Sequence, residues 1–278
     1  MRAGLIGFGR TGKAVASVLL QSKETCLCWV IRKSQTLQYR SVPEFLGVES
    51  DEPGLIYMRD EMPIGRLLGE MPVDVIVDFS SEEGIEYYGE EAARRGISII
   101  SAISSYPDHK IAFLRELART TRVLWSPNIT IGVNFLILAS KILKLIAPAV
   151  DIEVVEEHFK TKKEVSGTAK IIARSLAVAE DSIKSIRAGG IIGRHEILFG
   201  FPYQTVRMIH ESITREAFGN GALFAAKSIA KQPIGFYSME DFLIPYLSFV
   251  MDGLEVNRVE GPENGAGPEN YTLFVPRA

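Results

Sequence analysis

An α/β fold is predicted, a parallel sheet covered by helices on both faces and joined to a smaller α+β sheet domain, and three features predict it. The first 127 residues alternate short apolar runs with amphipathic ones. A glycine turn, Gly7-x-Gly9-x-x-Gly12, directly follows the first apolar run. From Pro127 onward the rhythm changes to strands separated by Gly and Pro turns, with fewer helices.

Taken in order, strands are read at residues 5–6, 26–31, 73–79, 97–100 and 123–124, with helices at 11–20, 82–95 and 110–120. Strand and helix in alternation build a parallel sheet whose strands are buried on both sides. Beyond Pro127 a helix at 133–146 leads into a strand at 152–157, and a second helix follows Thr168. Strand-like segments at 186–188, 196–199 and 205–210 are separated by Gly189-Gly190 and Gly200-Phe201-Pro202. Helix returns at 215–230, and the tail, with Gly-Pro-Glu-Asn at 261–264 and again at 267–270, reads as a surface loop before a terminal strand at 271–275.

Hydrophobic residues at 46%, charged residues at 23% and a net charge of -3 leave no basic footprint for nucleic acid, so a small-molecule partner is expected. The chain opens Met1-Arg2-Ala3-Gly4-Leu5 without a charged-then-apolar leader, which predicts a cytoplasmic protein. The apolar stretch at 135–150 is interrupted by Lys141 and Lys144 and is shorter than the ~20 residues of a membrane span, so it reads as a buried helix and no membrane partner is expected. Cys26 and Cys28, two apart on one strand face, suit reduced, buried thiols rather than a disulfide. No metal site is predicted, and His195 and His210, on or beside strands, read as packed or paired side chains.

In the glycine turn, the first glycine permits the tight bend, the second lets a pyrophosphate approach the backbone, and the third lets helix and strand pack closely. A dinucleotide site is expected there. About 20 residues on, where a carboxylate would hold a ribose 2′-hydroxyl, the chain reads Val30-Ile31-Arg32-Lys33-Ser34. Two cations and a hydroxyl suit a 2′-phosphate, which favours NADPH and leaves NADH as the lesser alternative; Arg32 and Lys33 also read as a solvated strand end. Asp78, at another strand end, either caps its own turn or touches a ribose.

The segment from Glu156 to Ala169 gathers a histidine, three lysines, Lys160, Lys162 and Lys163, and a helix start at Ser166-Gly167-Thr168. Helix-start N–H groups attract carboxylate or phosphate, and the cations reinforce that attraction.

Together with the glycine turn, five ordered motifs carry a family likeness. They are Val77-Asp78-Phe79-Ser80, the run 126–134 beginning Ser126-Pro127-Asn128, Glu157-His158 through Ser166-Gly167-Thr168-Ala169, the run 187–195 from Arg187-Ala188-Gly189-Gly190 to His195, and His210 with Arg215, Phe218, Gly221 and Ala222. Over most of its length the chain resembles the dihydrodipicolinate (4-hydroxy-tetrahydrodipicolinate) reductases of bacterial lysine biosynthesis. The resemblance implies a Rossmann-type dinucleotide-binding domain, residues 1–127 with 216–278, and an inserted substrate-binding and oligomerisation domain, residues 128–215, in a homotetramer. It implies hydride transfer from NADPH or NADH to a cyclic, unsaturated dicarboxylate. Cofactor contacts fall on Gly7, Gly9, Arg10, Thr11, Gly12, Arg32, Lys33, Phe79, Ser101, Ser126, Asn128 and Arg215. The catalytic positions fall on His158 and Lys162, and the substrate contacts on Lys160, Ser166, Gly167 and Thr168. Physical reasoning assigns compatible roles, because hydride delivered to carbon leaves negative charge on the conjugated atom, which a neighbouring acid must neutralise. Lys162 is read as the proton donor and His158 as its relay.

The chain departs from that pattern in three places. The family's His-His-Arg-His-Lys stretch reads His158-Phe159-Lys160-Thr161-Lys162, the loop before Ser166 is one residue short, and the family's Gly-Thr-Thr after the fourth strand reads Ser101-Ala102-Ile103. Two further readings therefore stand beside the first: an imine reductase or amino-acid dehydrogenase of the same architecture on another substrate, and a non-catalytic nucleotide-binding homologue.

Overall fold

The first strand, β1 (Arg2–Ile6), is buried at every position after Arg2, as a central strand of a doubly covered parallel sheet must be. It is followed in chain order by α1 (Arg10–Gln21), β2 (Cys26–Arg32), α2 (Val42–Leu46), β3 (Leu55–Met58), α3 (Ile64–Glu70), β4 (Val75–Asp78), α4 (Gly84–Arg94), β5 (Ser98–Ser101), α5 (Asp108–Leu117) and β6 (Arg122–Trp125). The computed structural model describes residues 1–34, 36–52 and 54–253, and the terminal strand expected at 271–275 lies outside the described residues. Two compact units are formed. Unit 1 comprises Met1–Ile131 and Ile213–Phe242, and unit 2 comprises Gly132–Ser212 and the described residues from Leu243 on.

Unit 1 also contains α8 (Glu216–Ile229) and β11 (Gly235–Tyr237), so named because two helices and four strands intervene: α6 (Ile131–Ile146), β7 (Asp151–His158), α7 (Gly167–Ser175), β8 (Ile183–Arg187), β9 (Arg194–Phe201) and β10 (Gln204–Glu211). Its sheet has the order β11-β6-β5-β4-β1-β2-β3, and every pair is parallel. Alternation along the strands sends Leu5, Val30 and Val77 to one face, beneath α1 and α8, and Ile6, Ile31 and Ile76 to the other, beneath α3, α4 and α5. Strand order reverses between β1 and β4, the place where such sheets open a crevice at their carboxyl ends.

In unit 2 the sheet order is β10-β9-β7-β8, with β7 parallel to β8 and antiparallel to β9. Its core joins Val133, Leu136 and Ile137 of α6 and Ala169, Ile172 and Ala173 of α7 to Val154, Ile197 and Phe199 of the sheet. The helix expected to be buried is buried on that face only: Phe135, Ile142, Leu145 and Ile146 of α6 are exposed. A helix laid on one sheet covers one stripe, and an apolar run alone does not reveal the second face. Cys26 and Cys28 are half-buried rather than buried. α9 (Met239–Gly253) carries Pro245 in its interior. Among the described residues no helix is long and apolar enough to cross a membrane.

Candidate active site

In unit 1 the three glycines do three different things. Gly7 has φ +95°, and a Cβ there would lie 2.7 Å from the Phe79 carbonyl carbon. A Cβ on Gly12 would lie 2.1 Å from the Gly7 carbonyl oxygen, whereas one on Gly9 would meet nothing within 4 Å. The turn and the packing therefore need Gly7 and Gly12, while Gly9 leaves open approach to the backbone. α1 starts at this point with no side-chain cap and no acidic residue in its first turn, so its N-terminal partial positive charge is unopposed locally. Beside it, a cavity of about 440 Å³ is lined by Thr11, Phe79, Ser80, Ala102, Pro127 and Phe218, among others. These residues follow the carboxyl ends of β1, β4, β5 and β6 or lie on α8, where an open α/β sheet places a ligand.

The other expected nucleotide residues are placed unequally. Arg10 is exposed at the start of α1, Lys33 is exposed beyond β2, and Arg215 is half-buried just before α8. The Arg32 guanidinium donates to the Thr36 carbonyl at 2.6 Å, so it is already engaged by its own loop. The Ser101 hydroxyl is buried and hydrogen-bonded to that of Tyr106 at 2.8 Å, leaving Ala102 and Ile103 at the cavity wall. Ser126 donates to the Asn128 carbonyl, and the Asn128 side-chain oxygen accepts from the Thr130 N–H and hydroxyl. That turn presents Pro127 and Ile129 to the cavity. Asp78 accepts from the Ser80 N–H, the Ser80 hydroxyl and the Tyr88 hydroxyl. Burial nonetheless pushes its carboxyl up to about 6.

In unit 2 the arrangement is built around one fully buried carboxylate, Glu156 on β7. Residues two apart on a strand share a face, so Glu156 lies beside His158, and its carboxylate meets the His158 Nδ1. Parallel pairing of β7 with β8 sets Ser185 opposite Glu156 and Arg187 opposite His158. Arg187 grips Glu156 in a fork, Nη2 to Oε1 at 2.6 Å and Nη1 to Oε2 at 2.9 Å. Ser185 donates to Oε1 at 2.6 Å and the Ser166 backbone N–H donates to it at 3.3 Å. The same guanidinium holds the 158–166 loop through the carbonyls of Lys162 and Glu164, at 2.9 and 2.8 Å. Ser166 Oγ lies 3.0 Å from His195 Nε2, and the rings of His158 and His195 meet edge to face with centroids 5.3 Å apart.

Burial alone would raise the Glu156 carboxyl, but hydrogen bonds from Arg187, Ser185 and His158 prevail and hold it at about 2. An ionised carboxylate only accepts, so His158 carries its proton on Nδ1 and leaves Nε2 facing Gly193, where an added Cβ would come within 3.2 Å of it. Burial lowers the His158 pKa, Glu156 opposes that, and the Lys162 and Arg187 charges add to the lowering. The neutral ring thus has a proton-accepting Nε2 in the field of the Lys162 ammonium. Lys160 is exposed, and its backbone N–H donates to the Gly189 carbonyl. The structure therefore brings His158, Ser166, Gly167 and Thr168 to one end of unit 2 with the Lys162 loop. Glu156 and Arg187 stood in the sequence only as members of longer motifs, and His195 only as a packed or paired side chain; none was given a role in the site. The two-residue spacing of Glu156 and His158 was visible there, but the fork from Arg187 depends on strand register.

These groups are expected to make the protein less stable in acid. Glu156 contributes fully above its ordinary 4.5, and that contribution is lost as pH falls through about 2. Burial first and His158 next lower His195 from 6.5 to about 3, so between those values the unfolded chain binds more protons and stability falls with falling pH. Melting temperature measured across this range should decline below about pH 6.5 and more steeply below about pH 4.5. His195→Gln should flatten the upper part of the decline; an unaltered slope would show that His195 is not held neutral.

The family model described as "Dihydrodipicolinate reductase, N-terminus" matches residues 1–129, and that described as "Dihydrodipicolinate reductase, C-terminus" matches residues 130–243. The chain belongs to the dihydrodipicolinate reductase family. Among its curated relatives, 4-hydroxy-tetrahydrodipicolinate reductase of Caldanaerobacter subterraneus is 32% identical over 192 residues, 61% of this chain and 76% of the relative. The enzyme of the same name from Syntrophus aciditrophicus is 29% identical over 266 residues, 85% of this chain and 96% of its own. A dipicolinate-bound dihydrodipicolinate reductase from Paenisporosarcina sp. TG-14 superposes with a TM-score of 0.72 at 18% identity, covering 86% of this chain and 97% of that one. An amine dehydrogenase from Mycobacterium smegmatis superposes at 0.59 with 11% identity, over 85% of this chain and 94% of that one. At such identities the superpositions establish the Rossmann-type fold alone. Membership of the dihydrodipicolinate reductase family makes the chain an NAD(P)H-dependent oxidoreductase.

Proposed function

We propose that the protein reduces a cyclic imine or enamine dicarboxylate with NADPH, as a 4-hydroxy-tetrahydrodipicolinate reductase of the diaminopimelate and lysine pathway. The observation that carries this reading is the Glu156 hub, which ties the proton-handling His158 to the anion-binding start of α7 through a single carboxylate. In this reading unit 1 holds the nucleotide: Gly7, Gly9 and Gly12 shape the pyrophosphate turn, with Arg10 and Thr11 at the helix start. Arg32 and Lys33 lie at the ribose end, where the run 30–34 supplies no carboxylate for a ribose 2′-hydroxyl. Phe79, Ser101, Ser126, Asn128 and Arg215 complete the nucleotide set, with Ser101 and Asn128 acting through their backbone positions. A nicotinamide held there would supply a hydride for a ring carbon of the substrate. Lys162 donates the balancing proton to the conjugated atom, and the free Nε2 of His158 accepts and returns protons beside it. Ser166, Gly167 and Thr168 hold one carboxylate, and Lys160 stabilises the second from the loop. Homotetramer formation and a cytoplasmic location belong to the same reading, and the exposed apolar residues of α6 support self-association.

The nucleotide half predicts a split between two glycine variants. Gly9→Ala enters open space and should fold normally while weakening NADPH binding at least about tenfold. Gly12→Ala collides with the Gly7 backbone and should lower the melting temperature as well. Equal NADPH affinity for Gly9→Ala and the parent, by fluorescence titration, would contradict the assigned turn.

Phe159 and Thr161, where relatives of the resembled pattern have histidines, favour a second reading in which the substrate carries one carboxylate. Steady-state NADPH oxidation with dihydrodipicolinate and with a panel of cyclic monocarboxylate imines decides between them. The dicarboxylate should give the highest kcat/KM, and turnover confined to monocarboxylates would establish the second reading.

A further inference from the structure

The chain uses serine at the start of two helices in nearly the same backbone conformation, and uses it differently. Ser41, before α2, has φ -70° and ψ 130°, and its hydroxyl accepts from the Glu44 N–H at 3.4 Å. Ser166, before α7, has φ -57° and ψ 130°, yet its hydroxyl makes no cap hydrogen bond. It lies instead 3.0 Å from His195 Nε2. The backbone permits the usual cap at both positions, so the partner across the sheet is what diverts Ser166.

We infer that His195 is a positioning residue whose Nε2–H donates to the Ser166 hydroxyl, leaving the hydroxyl proton of Ser166 to be donated to a substrate carboxylate. The inference rests on the carboxylate-substrate reading above and deepens it. Direction follows from the other ring nitrogen. His195 Nδ1 is buried and has no hydrogen-bond partner among the described residues. A buried N–H without an acceptor is costlier and rarer than a buried lone pair without a donor, so the proton belongs on Nε2, where it has an acceptor. In the opposite tautomer the Ser166 proton would be consumed by His195 and the clamp would present only lone pairs to an anion.

The surroundings keep the arrangement fixed. The Ser166 N–H is tied to Glu156, and the His195 ring packs edge-on against His158, so neither partner is free to turn. Burial, then the nearby His158, lower the His195 pKa to about 3, which keeps the ring neutral and the tautomer meaningful at neutral pH. His195 reaches the substrate only through Ser166 and therefore acts on binding more than on the chemical step.

Binding of pyridine-2,6-dicarboxylate to the full chain saturated with NADPH, followed by calorimetry alongside steady-state kinetics, tests this. His195→Leu and Ser166→Ala should each weaken dicarboxylate binding and raise KM by about 10- to 100-fold with a much smaller change in kcat. The double variant should be no worse than either single one. His195→Gln, whose amide N–H can replace the Nε2 donor, should recover most of the affinity. Should His195→Leu fail to fold, the comparison of Ser166→Ala with His195→Gln carries the same test. Undiminished binding by His195→Leu, or losses from the two single variants that add in the double, would overturn the inference while leaving the reductase reading intact. Failure of the unmodified protein to bind the dicarboxylate would remove the carboxylate reading and this inference with it.

Discussion

Replacing Glu156 with leucine is expected to destabilise the protein by roughly 3–5 kcal/mol, the usual consequence of removing one member of a buried ion pair. The carboxylate is fully buried and accepts from Arg187, Ser185 and the Ser166 backbone, besides meeting His158. Leucine leaves each of these donors without its acceptor. Glu156→Gln keeps the volume but directs an N–H at Arg187 or His158, so it too should be destabilising, by a smaller amount. Turnover should fall by about 10²-fold or more in the glutamine variant, because the tautomer of His158 and the position of Ser166 both depend on the carboxylate. Urea unfolding and steady-state kinetics on the same preparations check both halves. A glutamine variant with parental stability and turnover would mean that the hub organises nothing.

Lys162→Ala is expected to lower kcat by about 10²- to 10⁴-fold while leaving NADPH affinity unchanged, as loss of a general acid would. Its backbone carbonyl, which accepts from Arg187, is retained in the variant, so the loop stays anchored. Lys160→Ala is the natural control. Lys160 is exposed and assigned to carboxylate binding, so its loss should raise KM more than it lowers kcat. Equal effects on kcat from the two variants, or unchanged turnover in Lys162→Ala, would remove the donor role from Lys162.

The sequence revealed most of the alternation in unit 1 because β1, β2, β4, β5 and β6 are short apolar runs and α1, α4 and α5 have a clear period. β3 escaped notice, although it is no shorter than β5, because the flanking helices α2 and α3 have only five and seven residues and no clear period to frame it; β11 has only three residues. α9 escaped because Pro245 reads as a helix breaker, although this helix accommodates it. At the site, the glycine turn and the Ser166 helix start were legible as local patterns. The engagement of Arg32 by Thr36 and the burial of Ser101 against Tyr106 were not, since each depends on where a side chain turns after the strand ends. Glu156 and Arg187 lie 31 residues apart in sequence, and only the pairing of β7 with β8 makes them neighbours.

Hydride transfer from NADPH to a cyclic dicarboxylate can be followed by transfer of label. The full chain would be incubated with dihydrodipicolinate and NADPH deuterated at its transferable position, and the product examined by NMR. Stoichiometric deuterium is expected on one ring carbon of the product, with the balancing proton drawn from solvent. Unlabelled substrate recovered without oxidation of the nucleotide would contradict it.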